Sequence, residues 1–214
     1  RMIDRAVGRL RRDLADVQRT RRVQRAGRKR RETPILALVG YTNAGKSTLF
    51  NRLTGADVMA KDMPFATLDT TIRKLELPNL GEANLIDTVG FISDLPTHLV
   101  DSFRATLEEA LEADLLIHVR DRSSEADEEQ KQDVMKVLFQ LSDLSGLELP
   151  PLIEVWNKID LVDDAVREGL ERERARLAEQ MVAIPVSATT GEGIDTLLAE
   201  IEAILDQGRA RLRA

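Results

Sequence analysis

The segment Gly40-Tyr41-Thr42-Asn43-Ala44-Gly45-Lys46-Ser47, with Thr48 after it, fits GxxxxGK[ST], a loop that can hold a chain of phosphates. Its terminal glycines let the backbone curl so that successive N–H groups point at anionic oxygens, and the helix expected after it adds its positive end. The Lys46 ammonium suits the space between β- and γ-phosphates, and the Ser47 hydroxyl is a hard oxygen donor for Mg²⁺. A chance match somewhere in 214 residues has odds of roughly 1%.

A phosphate loop does not choose between adenine and guanine. Asn157-Lys158-Ile159-Asp160 does: an ionised Asp160 offers two acceptor oxygens to the adjacent N1–H and N2–H₂ donors of guanine, a pair adenine lacks. Asn157 is suited to tie this loop to the phosphate loop, and the Lys158 stem to cover the base plane. Ser187-Ala188-Thr189 fits a loop whose backbone N–H meets guanine O6. Asp87-Thr88-Val89-Gly90 supplies a carboxylate that can hold Mg²⁺ through a water and, at Gly90, an N–H for the γ-phosphate. Upstream, in Phe65-Ala66-Thr67-Leu68-Asp69-Thr70-Thr71, one threonine must reach Mg²⁺ in the triphosphate state. Thr67 is the choice among three, and Thr71 the fallback. The catalytic candidates are therefore Lys46, Thr67 and Gly90, and the metal set is Ser47, Thr67 and Asp87.

Many related GTPases follow the DxxG glycine with a Gln that orients the attacking water. Phe91 stands there in this chain. It can pack with Ile92 and Leu95 but cannot orient water, so hydrolysis is expected to be slow until a partner or a rearranged loop supplies the missing group. His98 and His118 are isolated and read as structural, Trp156 as packing, and Arg104 as one charged residue on a helix face rather than an arginine finger.

These segments need a scaffold that brings loops together, and the pattern supplies one. Short apolar runs at 35–39, 84–86, 115–119, 152–156 and 182–186 read as strands, and helical periodicity falls between them: after the phosphate loop to Leu53, then at 99–111, 127–141, 165–179 and 194–205. Residues 73–77 alternate and end at Pro78, which predicts an edge strand hairpinned to 84–86. The fold class is α/β: a P-loop NTPase with a mainly parallel six-stranded sheet covered by helices on both faces.

Net charge is −6 but unevenly spread. Residues 1–31 hold 13 Lys and Arg against three Asp; the rest hold 18 basic against 34 acidic residues. Ile3, Val7, Leu10, Leu14 and Val17 make one apolar seam in this basic arm, which predicts a helix, with a linker closing residues 1–33 and a nucleotide-binding domain over 34–214. A basic arm on an acidic body points to a polyanionic partner, RNA, DNA or anionic lipid, or else serves solubility. The chain has no Cys and no run long enough to span a membrane, so the expectation is a cytoplasmic protein, monomeric and without stable membrane insertion. The chain opens at Arg1 and reads as a fragment.

Taken together and in order, GYTNAGKSTLFN, FATLD, DTVGFISDLP, SFRATLEEALEADLLIHV, VWNKIDL and VSATTGEGID resemble the HflX family of GTPases over about residues 34–205. The resemblance implies a Ras-like fold, GTP hydrolysis with Mg²⁺, Thr67 as the metal-binding threonine, and action on the large ribosomal subunit in splitting or rescuing stalled ribosomes. It also implies rRNA, not DNA, as the polyanion facing the arm, and an N-terminal domain that this chain lacks. With Asn43 in the phosphate loop it raises K⁺ beside the β- and γ-phosphates as a second cofactor. Two departures stand out: Thr70, where the family commonly has Pro, and Arg120 and Arg122 around Asp121, where smaller or apolar residues are usual. Two other readings remain open, a nucleotide-dependent RNA- or protein-binding module that barely hydrolyses GTP and a switch on a membrane surface.

Overall fold

Alternation along the strands decides the layers. The computed structural model describes residues 33–56, 71–88, 90–91 and 109–213. The arm of residues 1–32, the loop bearing Phe65, Ala66, Thr67, Leu68, Asp69 and Thr70, the single residue Val89, and the stretch 92–108 with Ile92, Leu95, His98 and Arg104 lie outside the described residues. Six strands, β1 (Ile35–Val39), β2 (Thr71–Leu77), β3 (Gly81–Asp87), β4 (Leu115–Asp121), β5 (Leu152–Asn157) and β6 (Ala183–Pro185), form one sheet in the order β2-β3-β1-β4-β5-β6. Every pairing is parallel except the β2–β3 hairpin.

Leu36, Leu38, Leu115, Ile117, Val119, Ile153 and Val155 point to one face. There they pack with Leu49 and Phe50 of α1 (Lys46–Thr54) and with Leu197, Ile201 and Leu205 of α4 (Ile194–Arg213). The intervening Ala37, Val39, Ile86 and Leu116 point the other way, onto Val134, Leu138 and Leu141 of α2 (Asp127–Ser145). On that same face Trp156 packs with Leu170 of α3 (Asp164–Leu177). Each large apolar side chain so buried contributes roughly 1.5–3 kcal/mol. This two-layered cover is the α/β architecture read from the pattern.

Several elements run past their apolar signal. β2 starts at Thr71, not 73, because Thr71 and Ile72 continue the antiparallel ladder opposite Asp87 and Ile86. β3 spans Gly81–Asp87 rather than 84–86 for the same reason. Helix α4 continues to Arg213, and α2 to Ser145, where Gly146 in the left-handed region ends it. β6 is shorter than predicted, three residues, although the Val186 N–H still donates to the Trp156 carbonyl. The hairpin turn is held from across the sheet: Glu202 of α4 accepts the backbone N–H groups of Asn79 (2.6 Å) and Leu80 (3.1 Å), and the Asn79 side-chain amide (2.7 Å).

Charge sits inside the α2 layer. Arg120, on the same face as His118, donates to Glu154 (2.7 Å) and to Asp127 (3.0 and 2.5 Å), while Glu154 also takes Lys131 (2.9 Å) and the Trp156 indole N–H (2.8 Å). Arg122 lies over the Trp156 ring and pairs with Asp127 and Glu173. Trp156 is fully buried, in keeping with a packing role. His118 is also buried; desolvation pushes its pKa down to about 4 against the pull of Glu154, so the ring is neutral at pH 7.

Candidate functional site

The parallel order brings the carboxyl ends of β1, β3, β4 and β5 to one edge, where the candidate loops meet. The phosphate loop leaves β1 and turns into α1 through Gly45, whose φ of 94° is available to glycine and where a Cβ would collide with the Asn157 side chain. Asn43 also takes a left-handed conformation, φ 61°, and is exposed. Lys46 is almost fully buried and donates to the Tyr41 carbonyl at 2.9 Å. Burial pulls its pKa down to about 8, with the Asp87 carboxylate working the other way.

Ser47 donates its hydroxyl to Asp87 Oδ2 at 2.8 Å, so the first turn of α1 and the end of β3 present adjacent oxygens. This is the donor chemistry a small hard cation takes. Thr71 stands directly opposite Asp87 in the hairpin register, which puts its side chain on the same sheet face. Thr88 turns inward and donates to the Leu38 carbonyl at 2.6 Å. The chain then closes onto the phosphate loop: the Phe91 N–H donates to the Gly40 carbonyl (3.1 Å), and the Thr42 N–H to the Phe91 carbonyl (2.7 Å). Gly90 is pressed so close that a Cβ would lie 2.8 Å from Thr42 Cγ2 and 3.1 Å from Lys46 Nζ. Phe91 is buried in the cluster that holds Ala37, Val39, Tyr41, Ile86 and Leu116.

Asn157 joins three loops. Its amide donates to the Ala44 carbonyl at 2.8 Å and its oxygen accepts the Ala188 N–H at 3.0 Å. Lys158 follows with φ 64° and an ion pair to Asp121 at 2.7 Å. Ile159 is buried, whereas Asp160 is exposed and, among the described residues, its carboxylate accepts no hydrogen bond. Ser187 is buried and accepts the Thr190 N–H at 3.0 Å; Thr189 is exposed. The structure thus brings together residues 40–48, 87–88, 90–91, 157–160 and 187–189.

Sequence reading passes over Arg52. Its exposed side chain reaches from α1 to the carbonyls of Ala188 (3.1 Å) and Thr189, holding the 187–189 loop by its acceptors. Arg52 lies seven residues after Gly45, well inside the helix that follows the phosphate loop, so nothing in the local pattern marks it. Arg52→Ala is expected to weaken guanine-nucleotide binding by several-fold, corresponding to about 1 kcal/mol for lost hydrogen bonds from a charged donor at an exposed site. Calorimetric titration with GDP checks it.

The family described as 50S ribosome-binding GTPase matches residues 35–158. A GTPase HflX of Magnetococcus marinus is 46% identical over 213 residues, covering 100% of this chain and 46% of that protein. The chain therefore spans about half the length of the curated relatives it matches. Among solved structures, a GTP-binding protein from Sulfolobus solfataricus in complex with GDP is 30% identical with a TM-score of 0.59, covering 81% of this chain and 53% of that one. Era in complex with MgGDPNP and nucleotides 1506–1542 of 16S ribosomal RNA is 28% identical with a TM-score of 0.62, covering 79% and 55%. With the phosphate loop, the carboxylate of β3 and the Asn157 bridge on one sheet edge, the chain belongs to the 50S ribosome-binding GTPase family and matches HflX proteins within it.

Proposed function

We propose that the chain is a GTP-binding and GTP-hydrolysing switch that uses Mg²⁺ and works on the large ribosomal subunit in the splitting or rescue of stalled ribosomes, in the cytoplasm. The observation that carries the nucleotide part is the Asn157 bridge, which joins the Ala44 carbonyl to the Ala188 amide beside the exposed Asp160 carboxylate. In this reading the amides of residues 40–48 take the phosphates, Lys46 neutralises β- and γ-oxygens, and Asp160 reads guanine while Lys158 covers the base. Residues 187–189 meet O6, and Phe65, Ala66, Leu68 and Asp69 border the nucleotide around Thr67. Ser47, Thr67 and Asp87 hold Mg²⁺, which when bound neutralises phosphate charge. The Gly90 N–H detects the γ-phosphate and passes its loss to the segment beyond.

Phe91 deepens the partner dependence. Its ring is buried against β1 and β3, and an apolar side chain so placed offers no hydrogen bond to orient water. The ribosomal part of the proposal draws on the family's description, the HflX relatives and the basic arm, whose Lys and Arg gain affinity for rRNA by releasing counterions. Single-turnover hydrolysis with and without large ribosomal subunits tests it. Subunits are expected to accelerate the step by on the order of a hundredfold or more, as a missing transition-state group is supplied. An unassisted rate near about one per second would overturn the partner dependence. Run in KCl and in NaCl at matched ionic strength, the same assay tests the K⁺ site at Asn43, which equal rates would exclude. No acceleration with subunits, together with retained GTP binding, would favour the binding-module reading.

A further inference from the structure

Lys158 is the residue of the base loop with the most freedom to lose, a long flexible cation on a backbone turn with φ 64°. The structure assigns its restraint to Asp121: we infer that Asp121, at the end of β4, is a positioning residue that fixes the Lys158 side chain for guanine-nucleotide binding. This rests on the proposed role of Lys158 as cover for the base.

Four observations carry it. The Lys158 ammonium donates to Asp121 Oδ2 at 2.7 Å, and both side chains are largely shielded, 29% and 15% exposed. Asp121 Oδ1 is in turn occupied by the Ser123 N–H (3.0 Å) and the Ser123 hydroxyl (2.6 Å), so the carboxylate is held from its far side and cannot swing away. Its backbone is fixed as well: Asp121 is the register partner of Asn157, and the next N–H, of Arg122, donates to the Asn157 carbonyl at 3.0 Å. The carboxylate and the lysine therefore leave two adjacent strands at the same level, with Asn157 between Lys158 and the phosphate loop.

The fourth observation concerns competition. Arg120 and Arg122 flank Asp121 in the chain and could claim its carboxylate. Neither does: Arg120 is saturated by Asp127, Glu128 and Glu154, and Arg122 by Asp127 and Glu173. Their alternation places both on the α2 and α3 side, away from Lys158. The two unusual arginines thus anchor the end of β4 and leave Asp121 to the lysine. A lysine already tethered gives up less rotational freedom when a nucleotide arrives, which lowers the rate at which the complex falls apart.

The experiment measures dissociation of a fluorescent GDP analogue from the full chain and from Asp121→Ala, Asp121→Asn, Lys158→Ala and the double alanine variant, with thermal unfolding of each. Asp121→Ala is expected to raise the dissociation rate about tenfold, and the isosteric Asp121→Asn, which keeps an acceptor but loses the charge, by less. In the Lys158→Ala background the Asp121 substitution should add nothing, a non-additivity that a merely structural role would not produce. Additive effects, or a wild-type rate for Asp121→Ala while Lys158→Ala is fast, would overturn the inference. If Asp121→Ala does not fold, Asp121→Asn carries the same cycle. A wild-type rate for Lys158→Ala would overturn the reading of the base loop, and this inference with it.

Discussion

Asp160→Asn moves base preference from guanine to xanthine. The carboxylate presents two acceptors, and guanine answers with two donors, N1–H and N2–H₂. A carboxamide presents one acceptor and one donor. Against guanine the new N–H faces the N2 amine, so a donor meets a donor and one hydrogen bond becomes a repulsion; against xanthine, which carries a carbonyl at C2, the same group finds an acceptor. Sites built on a paired polar contact reject the analogue lacking it by factors near 10⁴. Because Asp160 is exposed, with its carboxylate accepting no hydrogen bond among the described residues, the substitution removes no hydrogen bond there and only relaxes its Coulombic pull on Arg167, so the fold should be untouched. GTP affinity is expected to fall by at least about a thousandfold with a compensating gain for XTP. Competition binding with the two nucleotides checks it, and equal losses for both would sink the assignment of Asp160 as the base reader.

The second large effect lies away from the nucleotide. Glu154→Ala removes the carboxylate on which Arg120, Lys131 and the Trp156 indole converge, leaving a nearly inaccessible guanidinium with one partner fewer. Breaking a buried pair from one side costs about 3–5 kcal/mol, because the remaining charge stays desolvated. For a chain of this size that lowers the unfolding temperature by on the order of 10 °C. Replacing both Glu154 and Arg120 with apolar residues of similar volume should recover much of the loss, since the desolvation penalty goes with the charges. Burial alone would raise the Glu154 pKa, but Arg120, the Trp156 N–H and Lys131 hold it below the ordinary 4.5. A depressed carboxylate stabilises the fold above its unfolded value and loses that contribution as pH falls below it. The wild type should therefore weaken as acid is added below pH 4.5, and Glu154→Gln should show a shallower acid dependence in thermal melts.

The phosphate loop was readable because its chemistry is local. Gly45 must take a positive φ, Lys46 and Ser47 open the helix, and each requirement is satisfied within eight consecutive residues. The same holds for the 157–160 loop, where Asn157 and Asp160 are close in sequence and differ in what they must face. Strand and helix cores were equally readable from alternation, since burial on one face repeats every second or every 3.6 residues. Their ends were not. Thr71, Ile72 and Gly81 join strands through backbone hydrogen bonds that demand nothing of the side chain, and the polar tail of α4 stays helical without an apolar signal.

Arg52, Glu202 and Asp121 show where sequence stops. Each makes polar contacts with residues far along the chain, Arg52 to Ala188, Glu202 to Asn79, Asp121 to Lys158, and no period or spacing encodes which surface charge will meet which backbone group. Arg120 and Arg122 stand out in the sequence as unusual, yet only the packing of α2 and α3 against β4 and β5 reveals the acids that hold them. By itself the sequence determined the fold class and the family and marked the loops proposed to take a guanine nucleotide, because those follow from local backbone geometry and side-chain chemistry. Tertiary structure alone decided how the loops are braced against one another, since bracing depends on distances across the sheet that a linear pattern does not carry.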